Sequence, residues 1–309
     1  MRIAEKREGV TEGVHEVSIA VVDGGNTVFS SGDVDRIFYS RSTAKPIQAW
    51  VCQMNGAALH PLQLALATAS HQGFPVHVSL VKRMLDEVGA APSFLQCPPV
   101  FPWADAARDI VVRAGARQGT SLWHNCSGKH AAMVRSSLTS GWDAADYLRH
   151  DHPLQAAVRK TMTEVTGQTG DPVAIDGCGA PVTTVSTIGL ARAYWALGND
   201  PVFEGVVEAM HRYPGLTRGV GTVDDNVARW WNAVAKIGAM GCIGVAFLDG
   251  VGIAAKCWDG SERAVGTALM ETLERVGLMT DPARKALEEF ANPPVLGGGK
   301  TVGRMEVVA

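Results

Sequence analysis

Ser42 and Lys45 stand three residues apart in the segment Arg41-Ser42-Thr43-Ala44-Lys45-Pro46. Positions i and i+3 share a helix face, so this hydroxyl and this amine can meet at a helix start. A serine is a poor nucleophile until a base takes its proton, and a lysine is such a base where burial or neighbouring cations favour its neutral form. The N-terminus of a helix adds backbone donors for the charge that develops on an attacked carbonyl. Pro46 suits a first helical turn. The same spacing also describes a capping serine followed by a solvent-facing lysine, so the segment acquires meaning only in company.

Two further segments supply company. Asn125-Cys126-Ser127-Gly128-Lys129-His130 puts a thiol and an amine at i and i+3 of a helix start, and Asp176-Gly177-Cys178-Gly179 offers a second thiol downstream. Two thiolates with nearby nitrogen suit a zinc ion, although a lysine must lose its proton to ligate. Two buried structural cysteines with Ser127 as a helix cap would read the same way. Ser70-His71-Gln72-Gly73-Phe74-Pro75 closes an apolar helical run and by itself marks only a polar helix end.

Elements must bring these segments together. His15–Val22 is β-branched and apolar, and Asp23-Gly24-Gly25-Asn26 separates it from Thr27–Phe29, a hairpin pattern, with a short strand expected near Arg36–Tyr39. Helical spacing then predicts helices over Ser42–Asn55, Pro61–Ser70, Val76–Val88, Ser127–Leu138, Pro153–Thr166 and Thr183–Leu197. Strand character returns at Val234–Ile237 and in two arms around Asp249-Gly250, and helices are expected around Gly266–Val276 and Asp281–Ala291. Gly297-Gly298-Gly299 reads as a turn before a last strand that ends at Val308. Strands at both ends with helices between imply an α+β fold: one antiparallel sheet built from both termini, with an inserted helical lobe. The expected division is a single catalytic unit of two lobes, the sheet lobe about 1–41 plus 233–309 and the helical lobe about 42–232.

Composition narrows the partner. The chain has 309 residues, 46% hydrophobic and 19% charged, which is enough apolar surface for a full core. Its 28 Lys+Arg against 31 Asp+Glu contain no basic block, so neither nucleic acid nor a membrane is the expected partner. Residues 1–8 lack the apolar core of a signal peptide, and Asp249-Gly250 breaks the apolar tract from Gly241 to Trp258. Six scattered cysteines then fit reduced thiols in the cytoplasm.

Six ordered segments taken together resemble the rhizobial-type, zinc-dependent L-asparaginase family. They are Arg41–Pro46, Ser70–Gly73, Asn125–Ala131, Asp176–Pro181, Lys236–Ala239 and Gly252–Gly260. The resemblance implies a serine β-lactamase/glutaminase-like fold and hydrolysis of a side-chain amide to an acid and ammonia. It implies Ser42 with Lys45 as one Ser–Lys pair and Ser70 with Lys236 as the other, Lys256 being the rival second lysine. Cys126, Lys129 and Cys178 would hold one zinc ion per chain, and Arg41, His130 and Asp176 would line the substrate site. A small-molecule amide is the implied partner, and a homodimer the implied assembly. The family usually reads Ser-His-x-Gly-Glu-Pro and Lys-x-Gly-Ala-Glu-Gly, whereas Phe74 and Met240 occupy the two acidic positions here. Two rival readings keep the same segments: a penicillin-recognising serine hydrolase, for which only Lys300-Thr301-Val302-Gly303 is on offer, and a non-catalytic zinc-stabilised binding module.

Overall fold

The computed structural model describes residues 1–308. Its twelve strands are β1 (Arg2–Arg7), β2 (Val10–Asp23), β3 (Asn26–Ser31), β4 (Ile37–Tyr39), β5 (Ala174–Ile175), β6 (Pro181–Val182), β7 (Thr184–Ser186), β8 (Ala233–Gly238), β9 (Cys242–Phe247), β10 (Val251–Cys257), β11 (Pro294–Gly297) and β12 (Lys300–Val308). The main sheet runs β11-β12-β1-β2-β10-β9-β8 with β3 also on β2, and every pairing in it is antiparallel. Both ends of the chain therefore build one sheet, as the position of the strands in the sequence implies.

Between β4 and β8 lie α1 (Lys45–Cys52), α2 (Pro61–Ala67), α3 (Pro75–Asp86), α4 (Asp105–Arg113), α5 (Ser127–Thr139), α6 (Pro153–Thr166), α7 (Thr187–Asn199), α8 (Glu204–Arg212), α9 (Pro214–Thr217) and α10 (Val223–Trp230). The remaining helices, α11 (Glu262–Arg275), α12 (Asp281–Ala286) and α13 (Glu288–Ala291), precede β11. Alternate residues of the central strands go to opposite faces. Ile19, Val21, Ile243, Val245 and Ile253 join a core with Val265 and Leu269 of α11, while Ala20, Val22, Ala246 and Ala254 join the larger core with Leu190 and Tyr194 of α7.

Three element boundaries differ from the sequence reading. Thr183–Leu197 is not one helix: β-branched Thr184 and Val185 stay extended in β7, which pairs with β4, and Ser186 then caps α7 by accepting from Gly189 N. The helix expected over Ser42–Asn55 begins as a 3-10 turn at Arg41–Ala44, and its regular part stops at Cys52 before a wide turn over Gln53–Ala57 that uses Gly56 at φ 78°. The helices α4, α8, α9 and α10 lie where the sequence reading placed none, because they are short and end in polar or aromatic residues.

Close approach of α7 to the sheet positions the Ser42 turn. A side chain at Gly244 would fall 2.1 Å from the Tyr194 ring, so glycine there lets the ring lie flat on β9. Tyr194 is fully buried and donates its hydroxyl to Thr43 O at 2.8 Å. Gly238, at the end of β8, likewise leaves room for Thr43 and Arg41.

Candidate active site

The Ser42 turn enters through Arg41, whose φ of 49° is left-handed and costs a non-glycine residue about 1 kcal/mol. A charge-assisted bond holds it there: Arg41 Nε donates to Asp176 Oδ1 at 2.6 Å. Lys45 N donates to Ser42 O, so the two residues are stacked in a 3-10 turn where i and i+3 eclipse. Ser42 is half-buried and Lys45 fully buried. The Lys45 amine spans to the end of α2, donating to Ala69 O at 2.5 Å and to Ser70 Oγ at 2.9 Å. Among the described residues no hydrogen bond joins the Ser42 and Lys45 side chains. The long lysine stem reaches past the short Ser42 side chain, so the expected partner is exchanged for Ser70.

Ser70 is held by its own backbone, which donates to Thr217 O at 2.7 Å. The neighbouring His71 N donates to Asn125 O at 3.0 Å and ties this segment to the first cysteine segment. Gly73 N donates to His71 Nδ1, so the His71 Nε2 proton goes to Ser127 Oγ at 2.9 Å. Burial, with His77 and Lys45 nearby, keeps His71 well below its ordinary pKa and therefore neutral.

Lys236 meets a partner that the sequence reading missed. Its Nζ donates to Ile237 O at 2.9 Å and lies 3.5 Å from Asp224 Oδ1, with both side chains fully buried. No hydrogen bond joins it to Ser70 among the described residues, because the buried Asp224 carboxylate on α10 competes for the ammonium. Asp224 Oδ1 also accepts from Ile237 N at 2.9 Å, while Oδ2 is buried without a hydrogen bond, 3.9 Å from Arg218 Nη1. Burial lowers Lys236 to about 8; Asp224 opposes this and Lys45 adds to it, so the two lysines sense each other's charge. The sequence signal for Asp224 was Thr222 followed by two acids, a helix N-terminus, which speaks of capping rather than chemistry. Lys256 is elsewhere: it donates to Met240 O and Cys257 O and lies 5.8 and 5.6 Å from the Phe38 and Trp258 rings.

The sulfur segments converge. Lys129 Nζ donates to Cys178 Sγ at 3.2 Å, and Cys126 Sγ donates to Asn125 Oδ1 at 3.3 Å. The neighbouring Cys126 holds the Cys178 thiol far below its ordinary pKa, against burial and with help from the Lys129 ammonium, and Cys126 is pushed up in exchange. Burial alone would lower Lys129, but the two sulfurs and Asp176 outweigh it and raise it. His130 Nδ1 lies 2.6 Å from the hydroxyl of Tyr147, a residue the sequence reading did not single out, and its Nε2 is buried with no partner. Two buried sulfurs, one amine and an orphaned imidazole nitrogen form a donor set that suits a zinc ion.

A family model for L-asparaginase II matches residues 3–307. The chain belongs to the L-asparaginase II family. Among curated proteins, no sequence matches it. Among solved structures, the chain is similar to Mglu in its native form in 4.3 M NaCl, with 14% identity, a TM-score of 0.48, and coverage of 85% of this chain and 62% of that one. It is also similar to a Bacillus glutaminase, with 14% identity, a TM-score of 0.47, and coverage of 85% and 91%. A β-lactamase from Mycobacterium bovis, Mb2281c, shows 16% identity, a TM-score of 0.41, and coverage of 89% and 95%. The chain thus spans about three fifths of the length of the Mglu chain, and no helix among the described residues is long and apolar enough to cross a membrane.

A cleft of about 340 Å³ opens beside the Arg41 turn, lined by Ile37, Tyr39, Met240 and Lys256 among others. Met240, one of the two residues at the family's acidic positions, is 58% exposed on its rim. The other, Phe74, is half-buried and turned to His77, with ring centroids 6.2 Å apart. Lys300-Thr301-Val302-Gly303 lies on β12, across the sheet from β8, so it cannot face the serines as the penicillin-recognising reading requires.

Proposed function

We propose that this chain hydrolyses the side-chain amide of L-asparagine or a related primary amide, through a Ser–Lys acyl-enzyme. The observation that carries the reading is the Lys45 Nζ to Ser70 Oγ bond at 2.9 Å beside a half-buried, unengaged Ser42 on the same turn as Lys45. Ser42 is the accessible hydroxyl, so it attacks the amide carbon as Lys45 takes its proton. Lys45 passes that proton through Ser70 to the leaving nitrogen; the C–N bond breaks, ammonia departs, and the acyl group remains on Ser42 Oγ. Water then attacks the ester with the same pair as base, releasing the acid. Lys236, lowered to about 8 by burial, is a second titratable cation beside this pair.

Cys126, Lys129 and Cys178 would hold the zinc ion, which when bound supplies a fixed positive charge and a template beside the substrate. Asp176 connects that cluster to Arg41, leaving the guanidinium to orient a substrate carboxylate. The homodimer belongs to the same proposal. Ammonia release from a panel of primary amides, in the unaltered chain and in Ser42→Ala, tests the reading. Turnover of asparagine or a close amide that disappears in Ser42→Ala supports it. An intact chain, loaded with zinc and hydrolysing none of the amides, would leave the non-catalytic binding module.

A further inference from the structure

A second cluster of metal-ligating atoms lies on the other face of the sheet from the sulfur site. Cys257 ends β10 opposite Val17 of β2, and its side chain joins the core under α11, whereas the adjacent Lys256 faces the opposite way toward Phe38. His15 is two residues before Val17 and so shares its face of β2. Asp259 sits on the tight turn into α11, fixed by Ser261 N at 3.0 Å. One ligand atom from each of His15, Cys257 and Asp259 lies within 4.8 Å of the others, the one such triplet of histidine, cysteine and carboxylate among the described residues.

The contacts inside the triplet are those of atoms aimed at one point. His15 Nδ1 is 2.6 Å from Asp259 Oδ2, and Cys257 Sγ is 2.9 Å from Asp259 Oδ1. The carboxylate thereby accepts at both oxygens from two groups that are themselves ligands once deprotonated. Three donors of three chemistries, one thiolate, one imidazole and one carboxylate, are the set that takes zinc or cobalt(II) in preference to a hard cation. They are anchored on two paired strands and a helix start, which fixes their spacing. The Asp259 side chain is 49% exposed and that of His15 19%, so a fourth position is open to water and an ion can enter from solvent.

We propose that His15, Cys257 and Asp259 form a second divalent transition-metal site of the zinc class, structural in place and separate from the amide chemistry. Binding exchanges protons for the ion: the Cys257 S–H proton leaves to solvent, the His15 ring proton moves from Nδ1 to Nε2 by exchange with solvent, and M²⁺ joins Sγ, Nδ1 and a carboxylate oxygen with water in the fourth place. The ion would pin β2, β10 and the start of α11 together. Because Cys257 N donates to Gly241 O at 2.7 Å, it would also brace the turn that carries Met240.

The test is a cobalt(II) titration of the full chain carrying Cys178→Ala, which removes a ligand from the other sulfur cluster. The expected result is a thiolate-to-cobalt charge-transfer band that saturates at one equivalent, vanishes when Cys257→Ser is added and weakens by at least about tenfold in affinity with His15→Ala. Absence of a thiolate band up to millimolar cobalt, or a band that survives Cys257→Ser, overturns the proposal. Should Cys178→Ala not fold, zinc content of the otherwise unaltered chain decides instead. His15→Ala, at a partly exposed strand position, should bind one equivalent fewer than the parent, and equal zinc content overturns the site. Neither measurement depends on amide turnover.

Discussion

Lys45 Nζ donates to Ser70 Oγ at 2.9 Å, so the lysine that follows Ser42 by three residues is hydrogen-bonded to the other serine of the site. One buried lysine amine thus lies between two hydroxyls, Ser70 engaged with it and Ser42 free. Loss of the free hydroxyl should be the more severe. Ser42→Ala should reduce kcat by roughly 10⁴-fold or more, and Lys45→Met comparably, whereas Ser70→Ala should cost about 10²–10⁴-fold. Thermal unfolding of Ser42→Ala should stay close to the parent, since Tyr194 still holds the turn through Thr43 O. Mass spectrometry of a slow amide substrate reads the acylated residue directly: an acyl group on Ser42 is expected, and one on Ser70 would reverse the roles.

The sulfur cluster predicts about one zinc per chain that depends on Cys126, Lys129 and Cys178. Cys178→Ala should remove it, because that sulfur accepts from Lys129 and its thiol is held far below its ordinary pKa by the neighbouring Cys126. Cys242→Ala should retain it: Cys242 is buried at the start of β9 with its pKa pushed up to about 12 by burial, and it behaves as a small apolar residue. Elemental analysis of the purified variants checks this, with the His15 cluster distinguished by Cys257→Ser.

Lys236 gives a pH dependence with a definite sign. Burial lowers it to about 8 from the ordinary 10.5, so the folded chain binds that proton less readily than the unfolded chain. Its contribution to stability is unfavourable in full below pH 8 and is relieved as pH rises toward 10.5. In catalysis, a charged Lys236 favours a neutral amine base beside it, so kcat/KM should fall along a limb near pH 8 as Lys236 loses its proton. Asp224 is the group that opposes the lowering, and Asp224→Asn should therefore move the limb to lower pH. A pH–rate profile unchanged by that substitution would remove Lys236 from the proton path.

Met240 occupies a left-handed position, φ 66°, in the three-residue turn Ala239–Gly241 between β8 and β9, followed by Gly241 at φ 63°. Asparagine tolerates that conformation and methionine does not, and the side chain is mostly in solvent. Met240→Asn should raise the urea midpoint by an amount equivalent to about 0.5–1 kcal/mol. Met240→Glu instead restores the family's acidic position beside the cleft that Arg41 and Lys256 line. It should improve kcat/KM for free L-asparagine over N-acylated amides by about tenfold or more, the worth of one charge-assisted contact to an α-ammonium group. Equal efficiency toward both substrates before and after the change would show that Met240 does not face the amine.

What the sequence by itself determined was local. Apolar alternation in residues 15–22 and 243–255, the Asp249-Gly250 turn and the distribution of helical spacing sufficed for a sheet assembled from both ends with helices inserted, because a period of two or of 3.6 reports which face of an element is buried. Motif order brought Arg41, Ser42, Lys45, Ser70, Cys126, Lys129, Cys178 and Lys236 into view as a group. Only the tertiary structure decided who meets whom. A lysine has four methylenes of reach and pairs with whatever acceptor the packing brings near, so Lys45 found Ser70 across helices instead of Ser42 on its own turn. Lys236 found Asp224, 12 residues upstream on α10, because two buried opposite charges are cheaper together than apart. Tyr194, Tyr147 and the His15–Cys257–Asp259 cluster lay outside any motif for the same reason: each takes its meaning from residues distant in the chain, and spacing along a sequence carries no information about contacts that only a folded sheet and its covering helices create.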